Sequence, residues 1–154
     1  MNGKLILALI RRLVSGRQKE PKPPKVALRN ELTQAELSRL LRKKFGRVAI
    51  FLSDRTYKTC TQSDIEEFLK FDETNKMGFV PETRDCDDFA YRLMGQFSTP
   101  EWSALAFGIV WTDKHAMNCF VDNNKEFYFI EPQTDRLQKD LKPWQGSKIR
   151  LIMM

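Results

Sequence analysis

The heptapeptide RDCDDFA, residues 84–90, places a cysteine among three aspartates, directly before a run of apolar residues. Neighbouring negative charge opposes formation of a thiolate. Asp85, however, has the sequence signature of a helix N-cap, which places Cys86 at the first and Asp88 at the third position of a helix that runs to about Gly95. Backbone N–H groups at such a position favour a thiolate. The sequence therefore predicts either an inert thiol or a nucleophile supported by the helix, with Asp85 and Asp88 engaged in capping.

A cysteine nucleophile also needs a base, and His115 is the single histidine of the chain. Imidazole is the usual partner, because an imidazolium ion holds the thiolate in an ion pair. His115 begins a predicted strand over 115–122, and a second predicted strand covers 126–132. Asn123 and Asn124 lie between these strands, so the pair is predicted to form a β-hairpin. A lone histidine can also be a purely structural residue.

The register of the hairpin decides whether a carboxylate reaches this histidine. A three-residue loop centred on Asn123 places Glu131 directly opposite His115. A loop centred one residue later, on Asn124, places Gln133 opposite His115 and Glu131 opposite Met117. In both registers Glu131 and His115 share a face of the sheet, because side chains alternate with period two. A two-residue loop would instead place Pro132 opposite His115, and Glu131 could also simply emerge into water.

The remaining patterns predict a single α+β domain in which helices precede an antiparallel sheet. Two capping boxes, Thr33 with Glu36 and Ser63 with Glu66, mark helix starts. The predicted elements are helices over 34–44 and from 63 to about 71, and strands over 47–52, 104–111 and 147–154. These elements would surround the cysteine helix and the hairpin.

Charge divides the chain into two parts. Its net charge is +6, with 26 basic and 20 acidic side chains. Residues 1–27 hold seven of the basic side chains and one of the acidic ones, which leaves 19 of each sign in 28–154. The sequence predicts a basic amphipathic leader with a Pro/Lys linker over 1–27, which would dock on the body or contact a membrane surface or a protein partner. The neutral body over 28–154 is not expected to bind nucleic acid.

The cysteine count favours free thiols. Three cysteines cannot all pair within the chain, and there is no CxxC motif. The sequence is therefore interpreted as that of a protein from a reducing compartment. Cys119 is predicted to be a small core residue, and Cys60 an exposed or half-buried thiol.

Four segments in order carry a resemblance to a known family: RDCDDFAYRL, AFGIVWTDKHAMNCFVD, FYFIEPQTDRL and the terminal KIRLIMM. Together they resemble the papain-like cysteine-peptidase domain of the mushroom agglutinin and its phage-encoded relatives. More distantly, the first segment resembles bacterial transglutaminase-like cysteine peptidases. The likeness covers roughly residues 48–154, and it implies a papain-like/transglutaminase-like core.

The resemblance implies a catalytic triad and an activity. Cys86 would be the nucleophile, His115 the base and then the acid, and Glu131 the residue that orients the imidazole. The chain would then be a cysteine hydrolase, a peptidase or amidase that acts on a protein or peptide by acyl transfer. The Cys86 N–H would serve the oxyanion hole, with Gln62 or Asn118 as candidate second donors, and Gln133 would help to shape the site.

The resemblance also implies a bound metal ion and a cellular location. Calcium would bind near the cleft, with Asp85, Asp87 and Asp88, together with Glu82, as oxygen ligands. No cofactor is otherwise expected. The relatives imply phage origin, in the bacterial host cytoplasm or in a virion, without export through a signal peptide. The carbohydrate-binding trefoil of the agglutinin has no counterpart in these segments, so sugar binding is not expected to carry over.

Two further interpretations remain beside an active hydrolase. The first is a catalytically silent papain-like binding module that acts on a host or virion protein, which suits a chain of 154 residues. The second is nucleic-acid binding through the basic leader, which would depend steeply on salt.

Overall fold

The computed structural model describes residues 21–141 and 147–154, and in them it shows three α-helices and eight strands. The helices are α1 (Gln34–Phe45), α2 (Gln62–Phe71) and α3 (Cys86–Phe97). The strands are β1 (Glu31–Thr33), β2 (Ala49–Phe51), β3 (Thr56–Lys58), β4 (Phe107–Thr112), β5 (Ala116–Val121), β6 (Phe127–Glu131), β7 (Arg136–Gln138) and β8 (Ile149–Met153). The α+β class predicted from the sequence is confirmed.

The main sheet has six strands in the order β2-β8-β4-β5-β6-β7, and β1 pairs with β3 in a separate ribbon. Within the main sheet β2 runs parallel to β8, whereas the other pairs are antiparallel. The prediction of helices followed by a purely antiparallel sheet is therefore wrong in one respect. A strand lying between two helices in sequence joins the sheet edge beside the terminal strand, a pairing that local patterns do not encode.

The helix starts are set by short-range capping. Thr33 accepts a hydrogen bond from the Glu36 N–H, and Glu36 accepts one from the Thr33 N–H at 2.8 Å. The second helix begins earlier than predicted: its capping pair is Thr61 with Asp64, not Ser63 with Glu66. Thr61 and Asp64 satisfy the same spacing two residues upstream, so the sequence contained two overlapping signals.

Two apolar clusters hold the helices on opposite faces of the sheet. One joins Leu37 and Leu41 of α1 to alternate residues of the hairpin, including Phe127 and Phe129. The other joins α2 and α3 to Phe120 and the remaining hairpin positions. Because the hairpin strands are buried on both faces, they read as nearly continuous apolar runs.

The segment before β1 packs on this body. The Trp102 indole N–H donates to the Pro24 carbonyl oxygen at 2.8 Å, and Val26 contacts the cluster around α2 and α3. The amphipathic leader helix predicted for the start of the chain lies outside the described residues. The division of the chain at residue 27 stays a prediction.

Among the described residues, no helix combines the length and the apolar character that crossing a membrane requires.

Candidate functional site

Cys86 occupies the first position of α3, as predicted. Asp85 is the N-cap residue in an extended conformation, and its N–H donates to the Asp88 carboxylate at 3.1 Å. The thiol is half-buried and packs against the small cluster of Ala90, Ile109 and Ala116. It also accepts a hydrogen bond from the backbone N–H of Ala116, the first residue of β5. This contact places the helix start beside His115.

The environment of Cys86 disfavours the thiolate. Burial raises the pKa of the thiol, and this is the largest effect; the Ala116 N–H acts against it, and the charges of Asp85 and Asp87 raise the pKa further. A nucleophile supported by the helix start would need a lowered thiol pKa, whereas the pKa of Cys86 is raised. Burial and two nearby carboxylates outweigh the hydrogen bonds to the sulfur.

His115 is fixed by a tight turn between β4 and β5. Its backbone N–H donates to Thr112 Oγ1 at 2.9 Å, and its carbonyl accepts from the Thr112 N–H at 2.8 Å. The residue is 7 % exposed. Its Nε2 lies 2.7 Å from Glu131 Oε2, so the imidazole N–H donates to the carboxylate. The pair is enclosed and short, which gives the ring one fixed orientation.

Glu131 ends β6 and is held from two sides. Asn118 pairs with Ile130, which means that Glu131 lies opposite Met117, two residues along the strand from His115 and on the same face. This is the second of the two registers left open by the sequence. Oε1 of Glu131, the carboxylate oxygen that does not bind His115, accepts a hydrogen bond from the backbone N–H of Gln133 at 3.3 Å. The structure thus brings His115 and Glu131 into contact, with Gln133 supporting the carboxylate through its main chain.

Asn118 lies in the core of the sheet and is fully buried. Its Nδ2 donates to the Ala90 carbonyl of α3 at 3.0 Å and to the Gly108 carbonyl of β4 at 3.2 Å. It therefore fastens α3 to the sheet and positions the Cys86 end of the helix. Gln62, the other candidate oxyanion donor, binds Glu66 within α2 through its side-chain amide.

Replacement of Asn118 is expected to destabilise the fold in a graded way. Asn118→Leu keeps the approximate volume and removes both donated bonds, so it should cost roughly 1–3 kcal/mol of unfolding free energy. Asn118→Asp should cost more, because it sets a buried carboxylate against two carbonyl oxygens. Urea unfolding of both variants measures the order. An Asp variant as stable as the wild type would contradict the described hydrogen bonds.

The three aspartates predicted as calcium ligands take different roles. Ligand atoms of Asp85, Cys86 and Asp87 lie within 4.8 Å of one another. The pKa of Asp87 is raised, chiefly by its side-chain hydrogen bond with Asp85. Burial of Asp87 raises this pKa further. Asp88 caps the helix instead. Two carboxylates could contribute to a cation site there, with Glu82 exposed nearby in sequence. Calcium at this position stays a prediction.

An aromatic pair beside Cys86 was not singled out from the sequence. Tyr91 of α3 is 51 % exposed, and its ring centroid lies 5.8 Å from that of Trp111 on β4. Trp111 also packs in the same small cluster as Cys86. The spacing along α3 gave no signal for it, because Tyr91 lies off the buried stripe of Phe89, Ala90, Leu93 and Phe97. Trp111 pairs with Ala116, the residue that follows His115, so the exposed ring of Tyr91 lies over the strand position next to His115 in the sheet.

The chain matches no family model and no curated protein. It is similar to a solved structure titled "PSL1a-E64 complex", with 23 % identity and a TM-score of 0.69, over 80 % of this chain and 50 % of that one. It is also similar, at a TM-score of 0.67 and 23 % identity, to Polyporus squamosus lectin bound to the epitope Neu5Aca2-6Galb1-4GlcNAc, over 80 % and 49 % of the two chains. The chain thus spans about half the length of these structures.

These comparisons correct the family prediction. One of the similar solved structures is titled as a lectin, and no family model, a peptidase model included, matches the chain. The interpretation as a papain-like cysteine peptidase, as an enzyme, and as a protein of phage origin is therefore wrong. Separately from these comparisons, burial raises the pKa of Cys86, which lowers the fraction of thiolate at a given pH.

Proposed function

We propose that this chain is a non-catalytic ligand-binding module, and that its ligand site is the surface formed by Cys86, Tyr91, Trp111, His115 and Glu131. The proposal includes a papain-like/transglutaminase-like scaffold as the core of this module. The observation that carries it is the enclosed His115–Glu131 pair, 2.7 Å apart, beside exposed aromatic area and a half-buried thiol of raised pKa.

The arrangement suits recognition of a small polar ligand. Binding sites of this kind combine apolar or aromatic surface with a few polar groups of fixed orientation. Tyr91 and Trp111 supply the former, and the His115–Glu131 pair supplies the latter. The pair is fixed before any ligand arrives, since Thr112 and Gln133 hold the backbone and the carboxylate. A preformed site loses little conformational freedom on binding.

Two small molecules named in the titles of the similar structures are the first ligands to test. PSL1a is titled as a complex with E64, and the Polyporus squamosus lectin as bound to a sialylated trisaccharide. We propose E64 as the ligand that reports on this site. Because this chain spans only half of those structures, binding of the trisaccharide is treated as a separate outcome.

The experiment is titration of the full chain with E64 by calorimetry, together with one site variant and one matched control. Tyr91→Ala removes an exposed ring and should weaken binding at least about tenfold, the equivalent of ~1.4 kcal/mol. Leu28→Ala removes an exposed apolar side chain two residues before Asn30, whose side chain donates to the Asn123 carbonyl at the turn of the hairpin, and it should leave affinity unchanged. Cys86→Ser should retain reversible binding.

Three outcomes decide between the alternatives. Reversible E64 binding that depends on Tyr91 supports the proposed site. A gain in intact protein mass after incubation, lost in Cys86→Ser, would show covalent attachment and contradict a non-catalytic module. Binding of the trisaccharide alone, insensitive to Tyr91→Ala, would place the ligand site elsewhere.

A further inference from the structure

A basic cavity lies between α1 and the turn of the hairpin, on the face of the sheet opposite to α3. Its volume is about 540 Å³. Sites for small ligands occupy roughly 300–1,000 Å³. Two acidic side chains, Glu36 and Glu126, and the apolar side chain of Leu40 form part of its lining. Four cationic side chains also line it: Arg39, Lys43, Lys44 and Lys125.

Three of these cations come from one short stretch of the chain. Residues 34–47 hold five basic side chains and one acidic one. Arg39 and Lys43 are four residues apart on α1 and are therefore neighbours on its surface, and Lys44 follows in the last turn. The neutral total charge of residues 28–154 thus includes a local excess of positive charge along this helix.

The fourth cation belongs to the turn of the hairpin and has an unfavourable backbone conformation. Lys125 has a φ of 64°, a left-handed conformation that glycine and asparagine adopt more readily than lysine. Asp122 fixes this turn, because its side chain accepts from the N–H groups of Asn124 and Glu126 and its carbonyl accepts from the Lys125 N–H. Residues other than glycine that are held in this conformation cluster at functional sites.

Cations from both elements act on the same carboxylate. Hydrogen bonds from the backbone and the hydroxyl of Thr33 are the main reason that the pKa of Glu36 lies below its ordinary value, and the charges of Lys125 and Arg39 lower it further. Lys125 and Arg39 are therefore close to one another in space, although they belong to different elements. Glu36 itself is engaged in capping α1, since it accepts from the Thr33 N–H at 2.8 Å.

The positive charge of the cavity is largely uncompensated. None of its four cations forms a salt bridge with a described residue, and Glu126 lies 3.4 Å from Lys139 instead. Arg39 and Lys43 repel each other, because like charges four residues apart destabilise a helix. The helix dipole favours Lys43 in the last turn of α1, but it gives no such support to Lys125 on the hairpin. A bound anion would offset this repulsion.

The lining also indicates which kind of anion fits. The ring of Phe127 in this cavity is only 1 % exposed, so it offers no surface on which a nucleobase could stack. Arginine and lysine both bind phosphate, arginine through two parallel N–H groups and lysine as a point charge. Lys44 lines a neighbouring cavity as well, together with Arg47 and Lys148, so the basic surface continues beyond the first cavity. Several linked phosphate groups match such separated cations better than one phosphate does.

We propose that Arg39, Lys43, Lys44 and Lys125 form a binding site for a small soluble polyphosphate, a molecule with two or more linked phosphate groups. The site is separate from the surface around Cys86. It does not depend on the proposed ligand-binding function. The phosphate groups are bound by charge, and they offset the repulsion among the four cations.

The test is titration of the full chain with sodium tripolyphosphate by calorimetry at low salt. Sodium orthophosphate and sodium chloride at matched ionic strength are the ligand controls. We expect one tripolyphosphate per chain, bound at least about tenfold more tightly than orthophosphate, with an affinity that falls as sodium chloride is added.

Lys125→Asn is the site variant, because asparagine accepts the left-handed conformation and carries no charge. It should weaken tripolyphosphate binding at least about tenfold. The Tm of the ligand-free variant should equal or exceed that of the wild type, since the backbone conformation becomes less costly. A purely structural role of Lys125 would not separate these two measurements.

Lys70→Gln is the matched control, because Lys70 is an exposed lysine in the last turn of α2, on the opposite face of the sheet. It should leave the affinity unchanged, as should the combined variant Arg11→Gln and Arg12→Gln in the basic leader. The proposal is overturned if the wild type binds no tripolyphosphate, if orthophosphate binds as tightly, or if Lys125→Asn binds as the wild type does. Loss of binding in either control variant would also overturn it, because the anion would then bind elsewhere.

Discussion

Gly108→Ala is expected to lower the unfolding free energy by about 3 kcal/mol or more, because the added methyl group has no room. A Cβ at Gly108 would lie 1.9 Å from the Met153 carbonyl oxygen and 2.7 Å from Met154 Cγ. The nearest of these atoms is backbone of β8, which cannot move aside as a flexible side chain can. The methyl group would push β8 from β4, and β2 with it, since β2 pairs only with β8 among the described strands.

Gly95→Ala is the matched control for this variant. Gly95 lies in α3, and a Cβ there meets no heavy atom within 4 Å. The alanine should stabilise the protein by roughly 0.5–1 kcal/mol, since glycine is a poor residue in a helix interior. Urea unfolding of both variants provides the measurement. Two changes of similar size would contradict the close approach of β4 and β8.

The second large effect concerns the reactivity of the three thiols. Iodoacetamide at pH 8 should modify Cys86 alone in the native protein, with Cys60 and Cys119 slower by at least about a hundredfold. Burial, followed by the charges of Asp64 and Asp122, raises the pKa of Cys60 to about 12. Burial likewise raises the pKa of Cys119 well above its ordinary value. Cys86 is only half-buried, so reagent can reach it.

The pH dependence of Cys86 follows from the direction of its shift. The thiolate is the reactive form, and a raised pKa means less thiolate at any given pH. The alkylation rate should therefore rise through pH 7–9 without a plateau near neutrality. Urea-denatured protein, in which all three cysteines should react alike, supplies the control. A fast rate that persists below pH 7 and disappears in His115→Ala would contradict this view of Cys86.

The predictions for Cys119 and Cys60 show that the burial of a side chain cannot always be predicted from its neighbours in sequence. Cys119 is a core residue, as predicted, because the alternation of the hairpin strands places it inside. Cys60 was predicted to be exposed or half-buried, since Thr and Gln surround it, yet it is 1 % exposed. Its position is decided by packing against α2 and the hairpin turn, where the Asn123 N–H donates to its carbonyl.

The sequence by itself determined the local elements of this protein. Capping residues and apolar periodicity specified the three helices, and the alternation of the hairpin placed His115 and Glu131 on one face in either three-residue register. These features depend on contacts a few residues apart. The choice between the two registers was left open, because moving the centre of the three-residue loop from Asn123 to Asn124 changes the opposed pair without changing the face.

Only the tertiary structure decided the features that join distant segments. It placed β2 parallel to β8, chose Met117 as the partner of Glu131, and brought Asn75 against Asp135. It also outweighed the expected effect of the α3 start on Cys86, because burial, followed by the Asp85 and Asp87 charges, raises the pKa more than the backbone hydrogen bonds lower it. Such outcomes depend on which surfaces exclude water and which charges meet in space, and neither follows from spacing along the chain.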